Sequence, residues 1–138
     1  MIRKNVQIYI VCSTDSKLLM LKRTKERSGY WQPVCGGIET GEFENDTAIR
    51  EVCEETGITQ YDYIKKLPFE FKYQEPKNGI EMNMEDVCFL MSIKSKYDIV
   101  LSDEHEQYKW IDFDEVSALT NWDPILTVCE YLSKGIKI

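Results

Sequence analysis

Apolar residues fall in short runs along most of this chain, separated by polar stretches of turn-forming residues. Val6–Cys12 and Lys17–Arg23 are rich in Ile, Val, Leu and Tyr and flank Thr14-Asp15-Ser16, a pattern that predicts two strands joined by a tight turn. Thr24–Tyr30 is charged and reads as a loop, and Trp31–Cys35 reads as a short strand ending at Gly36-Gly37. The period then changes. Within Glu42–Gly57, residues Ala48, Ile49, Val52 and Cys53 recur with the spacing of one buried helix face, and Gly57 suits the position just past a helix end. Tyr63–Tyr73 and Asp86–Lys94 predict strands, and the polar Gln74–Asn83 between them, with Pro76 and Asn78-Gly79, predicts the longest loop. Tyr108–Asp112 predicts a short strand and Asp114–Leu119 a helical turn. Asp123 is placed to cap a final helix, with Pro124 at its first position, running to about Lys134. Tyr9, Met20 and Leu21 sit at core positions, and Trp110 and Trp122 are assigned to packing. The pattern predicts an α/β or α+β domain: a mixed sheet packed by a central helix and a terminal one.

The length, 138 residues, is that of a single domain spanning 1–138 that needs no disulfide or structural metal, and no internal repeat or linker divides it. The five cysteines, Cys12, Cys35, Cys53, Cys88 and Cys129, are widely spaced with no CxxC pair, which suits reduced thiols and a cytoplasmic protein. Met1–Lys4 is basic and Val6–Cys12 apolar, but that run is short and contains Gln7, so a strand is expected and not a signal peptide. No apolar run approaches the roughly 20 residues that span a bilayer. One histidine, His105, excludes any site built on two His ligands.

Charge alters this picture in one place. The formal net charge is −7, which disfavours a broad nucleic-acid-binding surface or an anionic membrane as partner. Seven acids and a single base, Arg50, lie between Gly36 and Ile58, so most of the excess is local. At about 100° per residue, Glu51, Glu54 and Glu55 share one face of the helix. Like charges one turn apart repel, and acids near a helix C-terminus oppose its dipole. A divalent cation reverses both costs, because carboxylates are the preferred ligands of hard ions such as Mg²⁺ and Mn²⁺. Gly36, Gly37 and Gly41 let the backbone approach a bound ion or phosphate, and a carbonyl there would complete the ligand set. Arg50, four residues before Glu54, is placed to pair with a carboxylate and hold its rotamer. A solvated charged face is the competing reading of this helix.

The spacing decides between the two. Gly36, five residues, Glu42, seven residues, Arg50-Glu51, Val52, Glu54-Glu55, Gly57 and Ile58 resemble the Nudix box, GX5EX7REUXEEXGU with U apolar, at every defining position. The box occupies residues 36–58. The resemblance implies an α/β/α sandwich with a mixed β-sheet, a central catalytic helix and a C-terminal helix. It also implies Mg²⁺ or Mn²⁺ held by Glu51, Glu54, Glu55 and the Gly36 carbonyl, with Glu42 and Arg50 in supporting positions. Tyr30-Trp31-Gln32, Asn83-Met84-Glu85, Glu104-His105 with Tyr108-Lys109-Trp110, and Leu119-Thr120-Asn121-Trp122 are similar to the bacterial dihydroneopterin triphosphate/dATP pyrophosphohydrolase group. Gly37 and Val87 depart from it, standing where some members carry Ser and Trp.

The expected activity is hydrolysis of a (deoxy)nucleoside or pterin triphosphate to monophosphate and pyrophosphate, by a water activated at the metal. Glu104 is the candidate general base outside the box, with a solvated acid beside Asp103 and Glu106 as the competing reading. His105 reads as an exposed loop residue before it is assigned any contact with phosphate or carboxylate. Lys22 and Arg23 are candidate phosphate contacts. Trp31 is a candidate stacking residue or a core residue, and Gln32 a candidate partner for a ring edge. Hydrolysis of dinucleoside polyphosphates or nucleoside-diphosphate sugars is the alternative on the same box, and a non-catalytic nucleotide sensor is an alternative of another class. Isoprenoid diphosphate isomerisation would need several His. A small phosphorylated substrate is expected as partner, with no membrane and no long nucleic acid, for a monomer or homodimer.

Overall fold

The computed structural model describes residues 1–135. Strands β1 (Ile2–Cys12) and β2 (Lys17–Arg23) form the expected hairpin, with Val11 opposite Leu18. After a 3₁₀ turn at Lys25–Arg27 come β3 (Trp31–Gln32) and β4 (Val34–Gly37), then helix α1 (Glu44–Thr56). Strands β5 (Tyr63–Lys77), β6 (Ile80–Ile93) and β7 (His105–Ile111) follow, then a 3₁₀ turn at Phe113–Glu115 and helices α2 (Val116–Leu119) and α3 (Asp123–Ser133). The sheet runs β3-β2-β1-β6-β5, with β4 also on β1 and β7 on β2. β1 and β6 are parallel and the other pairs antiparallel, so the sheet is mixed. Among the described residues, no helix is long and apolar enough to cross a membrane.

β1 is apolar along most of its length because both its faces are covered. Val6, Ile8 and Ile10 pack with Ala48 and Val52 of α1, while Tyr9 and Val11 pack with Ile125, Val128, Cys129 and Leu132 of α3. The result is the helix/sheet/helix layering expected of an α/β sandwich. Tyr9, Met20 and Leu21 are fully buried. Trp110 packs on the α1 side and Trp122 on the α3 side.

Three expectations change. First, Trp31–Cys35 is not one strand. Pro33 has no N–H to give to a ladder, and the chain switches there from pairing with β2 to pairing with β1. Second, Gln74–Asn83 is not a loop. β5 and β6 continue to a two-residue turn at Asn78 and Gly79, whose φ values of 53° and 77° are the left-handed pair a tight hairpin requires. Pro76 is tolerated because β5 is at the sheet edge. On the β5 side, Gln74–Lys77 carries no apolar alternation; on the β6 side Ile80, Met82 and Met84 do alternate with Glu81, Asn83 and Glu85, a strand signal that the expectation of a loop leaves out. Third, α1 is rotated from the expected face. Ala48 and Val52 are buried, but Ile49 is only half-buried and Cys53 is exposed, while Thr47, Glu51, Glu55 and Thr56 are buried. The buried threonines are satisfied locally: Thr56 Oγ1 donates to Val52 O at 2.6 Å and Thr47 Oγ1 to Glu42 at 2.7 Å. At the last helix, Trp122 and not Asp123 occupies the capping position, and Pro124 lies in the first turn as expected.

On the α3 side of the sheet, Asp86 is 3% exposed. Its Oδ1 accepts from Asn5 Nδ2 at 2.9 Å, and its Oδ2 accepts from Gln7 Nε2 and Tyr73 Oη, each at 2.9 Å. Asp86→Ala would leave these donors without their acceptor. Urea unfolding is expected to show a loss of about 3 kcal/mol; a loss below about 1 kcal/mol would show that other acceptors or water replace the carboxylate.

Candidate active site

Two local features bring the box together. Gly36, in β4, faces the helix: a Cβ there would overlap the Glu51 carboxylate. Only a residue without a side chain lets Glu51 press onto the sheet, and this close approach explains the rotation of α1 that buries two acids. At the far end, Gly57 adopts φ 79° and its N–H bonds Cys53 O at 2.9 Å, ending the helix just past Glu54 and Glu55.

Arg50 organises the acids. Its Nε and Nη2 donate to the two Glu42 oxygens at 2.7 and 2.9 Å, a bidentate clamp. Its Nη1 donates to Glu51 at 2.9 Å and to Glu54 at 3.2 Å, and Nη2 reaches the Gly37 carbonyl at 3.1 Å. Glu51 and Glu54 therefore converge on one guanidinium nitrogen. The hydrogen bonds from Arg50, then from Thr47 and the Glu39 N–H, lower the Glu42 pKa to about 2. A Cβ on Gly37 would meet the Arg3 guanidinium, which occupies the space a Ser side chain would need. Val87, the other departure, pairs with Val6 in the core on the α1 side.

The remaining carboxylate has different partners. Glu55 is 2% exposed, and its Oε2 accepts from Ser102 Oγ at 2.9 Å and lies 2.7 Å from His105 Nδ1. Burial alone would raise the Glu55 pKa; the contacts with His105 and Ser102 outweigh it and hold the group below its ordinary value. Glu51 goes the other way. Burial, reinforced by the charges of Glu54 and Glu55 and only partly offset by Arg50, raises it to about 7.

This divergence has a measurable consequence. With its pKa raised, Glu51 favours the folded protein in its protonated form, a contribution that is full below the ordinary value of 4.5 and lost as pH rises through about 7. The stability of metal-free protein relative to Glu51→Gln is expected to fall across that window. A cation bound by Glu51 must displace the proton, so Mn²⁺ affinity is expected to drop about tenfold per pH unit below 7. Calorimetric titration at several pH values checks this, and a slope unchanged in Glu51→Gln would assign it to another group.

The other predicted residues divide between the two faces of the sheet. Arg23 and Gln32 lie on the α1 face, Arg23 stacked over the Tyr30 ring at 5.8 Å and Gln32 Nε2 3.2 Å from His105 Nε2. Lys22 and Trp31, paired across the β2–β3 ladder, lie on the α3 face, with Trp31 beneath the Lys109 ammonium at 5.1 Å and Lys22 3.9 Å from Glu106. Glu104 is half-exposed and pairs with Arg27 at 2.8 Å, and its N–H donates to Ser102 Oγ at 3.3 Å, one residue from Glu55 in the hydrogen-bond chain. His105 is not an exposed loop residue: its side chain is 2% exposed at the start of β7. Ser102 carried no sequence signal at all.

The donor set suits a hard divalent cation. It is all oxygen: Glu51 and Glu54 meet at one Arg50 nitrogen, Glu55 lies one turn beyond Glu51 with Ser102 and His105, and the Gly36 cradle in β4 brings Glu51 against the sheet. Among the described residues, the acids whose oxygens lie within 4.8 Å of one another are a different group, Asp112, Asp114 and Glu115, all exposed. Asp112 and Glu115 form a capping box and Asp112 pairs with Lys17 at 3.0 Å, so helix capping accounts for it.

Comparison with known proteins shows the family and the fold. The sequence model of the NUDIX domain matches residues 1–128. The RNA pyrophosphohydrolase of Pelagibacter ubique is 30% identical over 126 residues, covering 80% of this chain and 77% of that protein. The dihydroneopterin triphosphate diphosphatase of Escherichia coli is 29% identical over 123 residues, covering 82% and 81%. The solved structure of the E. coli dihydroneopterin triphosphate pyrophosphohydrolase superposes with a TM-score of 0.80 at 25% identity, over 93% of this chain and 92% of that one.

Proposed function

From the premise that this chain belongs to the Nudix family and is a hydrolase of phosphoric anhydride bonds, we propose that it cleaves a (deoxy)nucleoside triphosphate or dihydroneopterin triphosphate to monophosphate and pyrophosphate. The observation that carries this reading is the pairing of Glu51 and Glu54 on Arg50 beside Gly36, with Glu55 one helix turn beyond Glu51 and the two buried acids driven to opposite protonation tendencies. Paired carboxylates whose environments push them apart mark a site built for chemistry.

Glu51, Glu54, Glu55 and the Gly36 carbonyl would hold Mg²⁺ or Mn²⁺. Such a cation supplies charge neutralisation for the polyphosphate and acidifies water in the site. Arg50, clamped by Glu42, offsets the repulsion between Glu51 and Glu54 before it arrives, and Ser102 and His105 hold Glu55. Arg23, on the same sheet face as the acids, is positioned to contact phosphate once it leaves Tyr30, while Lys22, on the opposite face beside Glu106, contributes only to the longer-range field. Glu104 takes the proton of the attacking water after exchanging its contact with Arg27. Gln32 offers an amide to a ring edge, Trp31 a stacking surface at the sheet edge, and Gly37 a backbone that substrate can approach. The chain acts as a single domain in the reducing cytoplasm, consistent with five free cysteines.

The similarity to an RNA pyrophosphohydrolase favours a second reading, in which the triphosphate is a 5′ end of RNA. One panel separates these readings: nucleoside triphosphates, dihydroneopterin triphosphate, dinucleoside polyphosphates, nucleoside-diphosphate sugars and 5′-triphosphorylated RNA, each with Mg²⁺. Pyrophosphate release from the free triphosphates, at least tenfold faster per unit concentration than from the others, is the expected result. Preference for any other class would replace the reading.

A further inference from the structure

The only histidine in the chain is buried between two functional elements. Its placement depends on an irregularity in β7. Trp110 and Tyr108 pair with Leu19 and Leu21, whose side chains face α1. Strict alternation would put Glu106 on that face as well and turn His105 to the other. Instead the register shifts between Lys22 and Arg23: Gln107 pairs with Lys22, and His105 with Arg23. A bulge of this kind re-aims a side chain. It leaves Glu106 near Lys22 and swings the imidazole under α1, where Nδ1 meets Glu55.

The contacts fix what each atom does. Glu55 Oε2 is an acceptor, so Nδ1 carries the hydrogen in a contact of 2.7 Å. The angle is too bent for a hydrogen bond, and among the described residues this buried Nδ1 has no hydrogen-bond partner, so the ring faces the carboxylate at 2.7 Å with its donor unmet. Ser102 Oγ takes the same oxygen at 2.9 Å. Among the described residues Glu55 Oε1 has no hydrogen-bond partner. In the neutral ring Nε2 is an acceptor, so the Gln32 amide donates to it and the Gln32 carbonyl oxygen is left over.

We propose that His105 is a positioning residue: by holding Glu55 Oε2 it directs Oε1 toward the divalent cation, and through Nε2 it orients Gln32 with its carbonyl oxygen toward a donor on the substrate. The inference rests on the reading of Glu55 as a metal ligand. Residues that hold a metal ligand in this way typically change affinity or activity by 10- to 100-fold when removed.

The test uses the full chain without substrate first. Mn²⁺ binding is measured by electron paramagnetic resonance for the unmodified protein, His105→Ala, His105→Asn and Glu55→Gln, and kcat and KM are then measured at saturating metal. His105→Ala is expected to weaken Mn²⁺ binding at least tenfold. Asn restores an N–H facing Glu55 but not the reach to Gln32, so His105→Asn is expected to bind Mn²⁺ within about threefold of normal while KM stays raised about tenfold. If His105→Ala does not fold, His105→Asn carries the test. A lowered melting temperature with Mn²⁺ binding unchanged in His105→Ala overturns the proposal, as does His105→Asn binding Mn²⁺ as weakly as Glu55→Gln. If Glu55→Gln itself binds Mn²⁺ normally, the metal role of Glu55 fails and the positioning role with it.

Discussion

Glu54→Gln and Glu55→Gln are each expected to cut Mg²⁺-dependent hydrolysis by a factor on the order of 10³, because a cation contributes several kcal/mol of transition-state stabilisation that a neutral amide cannot retain. The two variants fail differently. Glu54 is half-exposed and bonds only Arg50 among the described residues, so its loss should leave the thermal midpoint of the metal-free protein almost unmoved. Glu55 is buried, and Gln in its place keeps an oxygen for Ser102 but loses the charge that draws His105. A modest fall in thermal midpoint is therefore expected for Glu55→Gln alone. Steady-state rates over a Mg²⁺ titration, with calorimetric midpoints alongside, check both. Hydrolysis within threefold of normal in either folded variant would remove that residue from the metal site.

Glu104→Gln is expected to lower kcat by a factor between about 10² and 10⁴ with little change in KM, the signature of a lost general base. Its surroundings make the prediction sharp. Glu104 is half-exposed and its one described side-chain partner is Arg27, so the substitution removes an exposed ion pair and little else from the fold. Arg27→Gln serves as the control: it removes the same pair while leaving the carboxylate, and kcat should stay within a few fold of normal. A loss below threefold in Glu104→Gln would return Glu104 to the surface and move the search for a base to the box carboxylates.

Much of the fold can be read from the chain because its strongest signals are local. The hairpin of β1 and β2 follows from two apolar runs around a polar turn, and α1 follows from periodicity ended by Gly57. The box spacing identified the family before any contact was known, and the Nudix domain match over residues 1–128 agrees with it. Where local signals conflicted or were incomplete, expectation failed. At the tip of the β5–β6 hairpin Gln74–Lys77 is polar, and Pro76 with Asn78-Gly79 reads as a loop, although Asn-Gly suits a tight hairpin turn and Ile80, Met82 and Met84 alternate as a strand does. Periodicity assigned α1 a face through Ile49 and Cys53 because it weighs side-chain polarity alone. The helix turned the other way because Gly36 opens a space that Glu51 fills and because His105 and Ser102 receive Glu55.

By itself the sequence determined which acids share a helix face and that Arg50 can reach Glu54, since these depend on the 1.5 Å rise and 3.6-residue turn of any α-helix. Only the tertiary structure decided that Arg50 gathers Glu42 and Gly37 as well, that Arg3 fills the space beside Gly37, that Arg23 and not Lys22 shares the face of the acids, and that His105 is buried against Glu55. Each of those depends on strand pairing, register or a bulge between segments far apart in the chain, and a one-residue change of register reverses which face a side chain occupies.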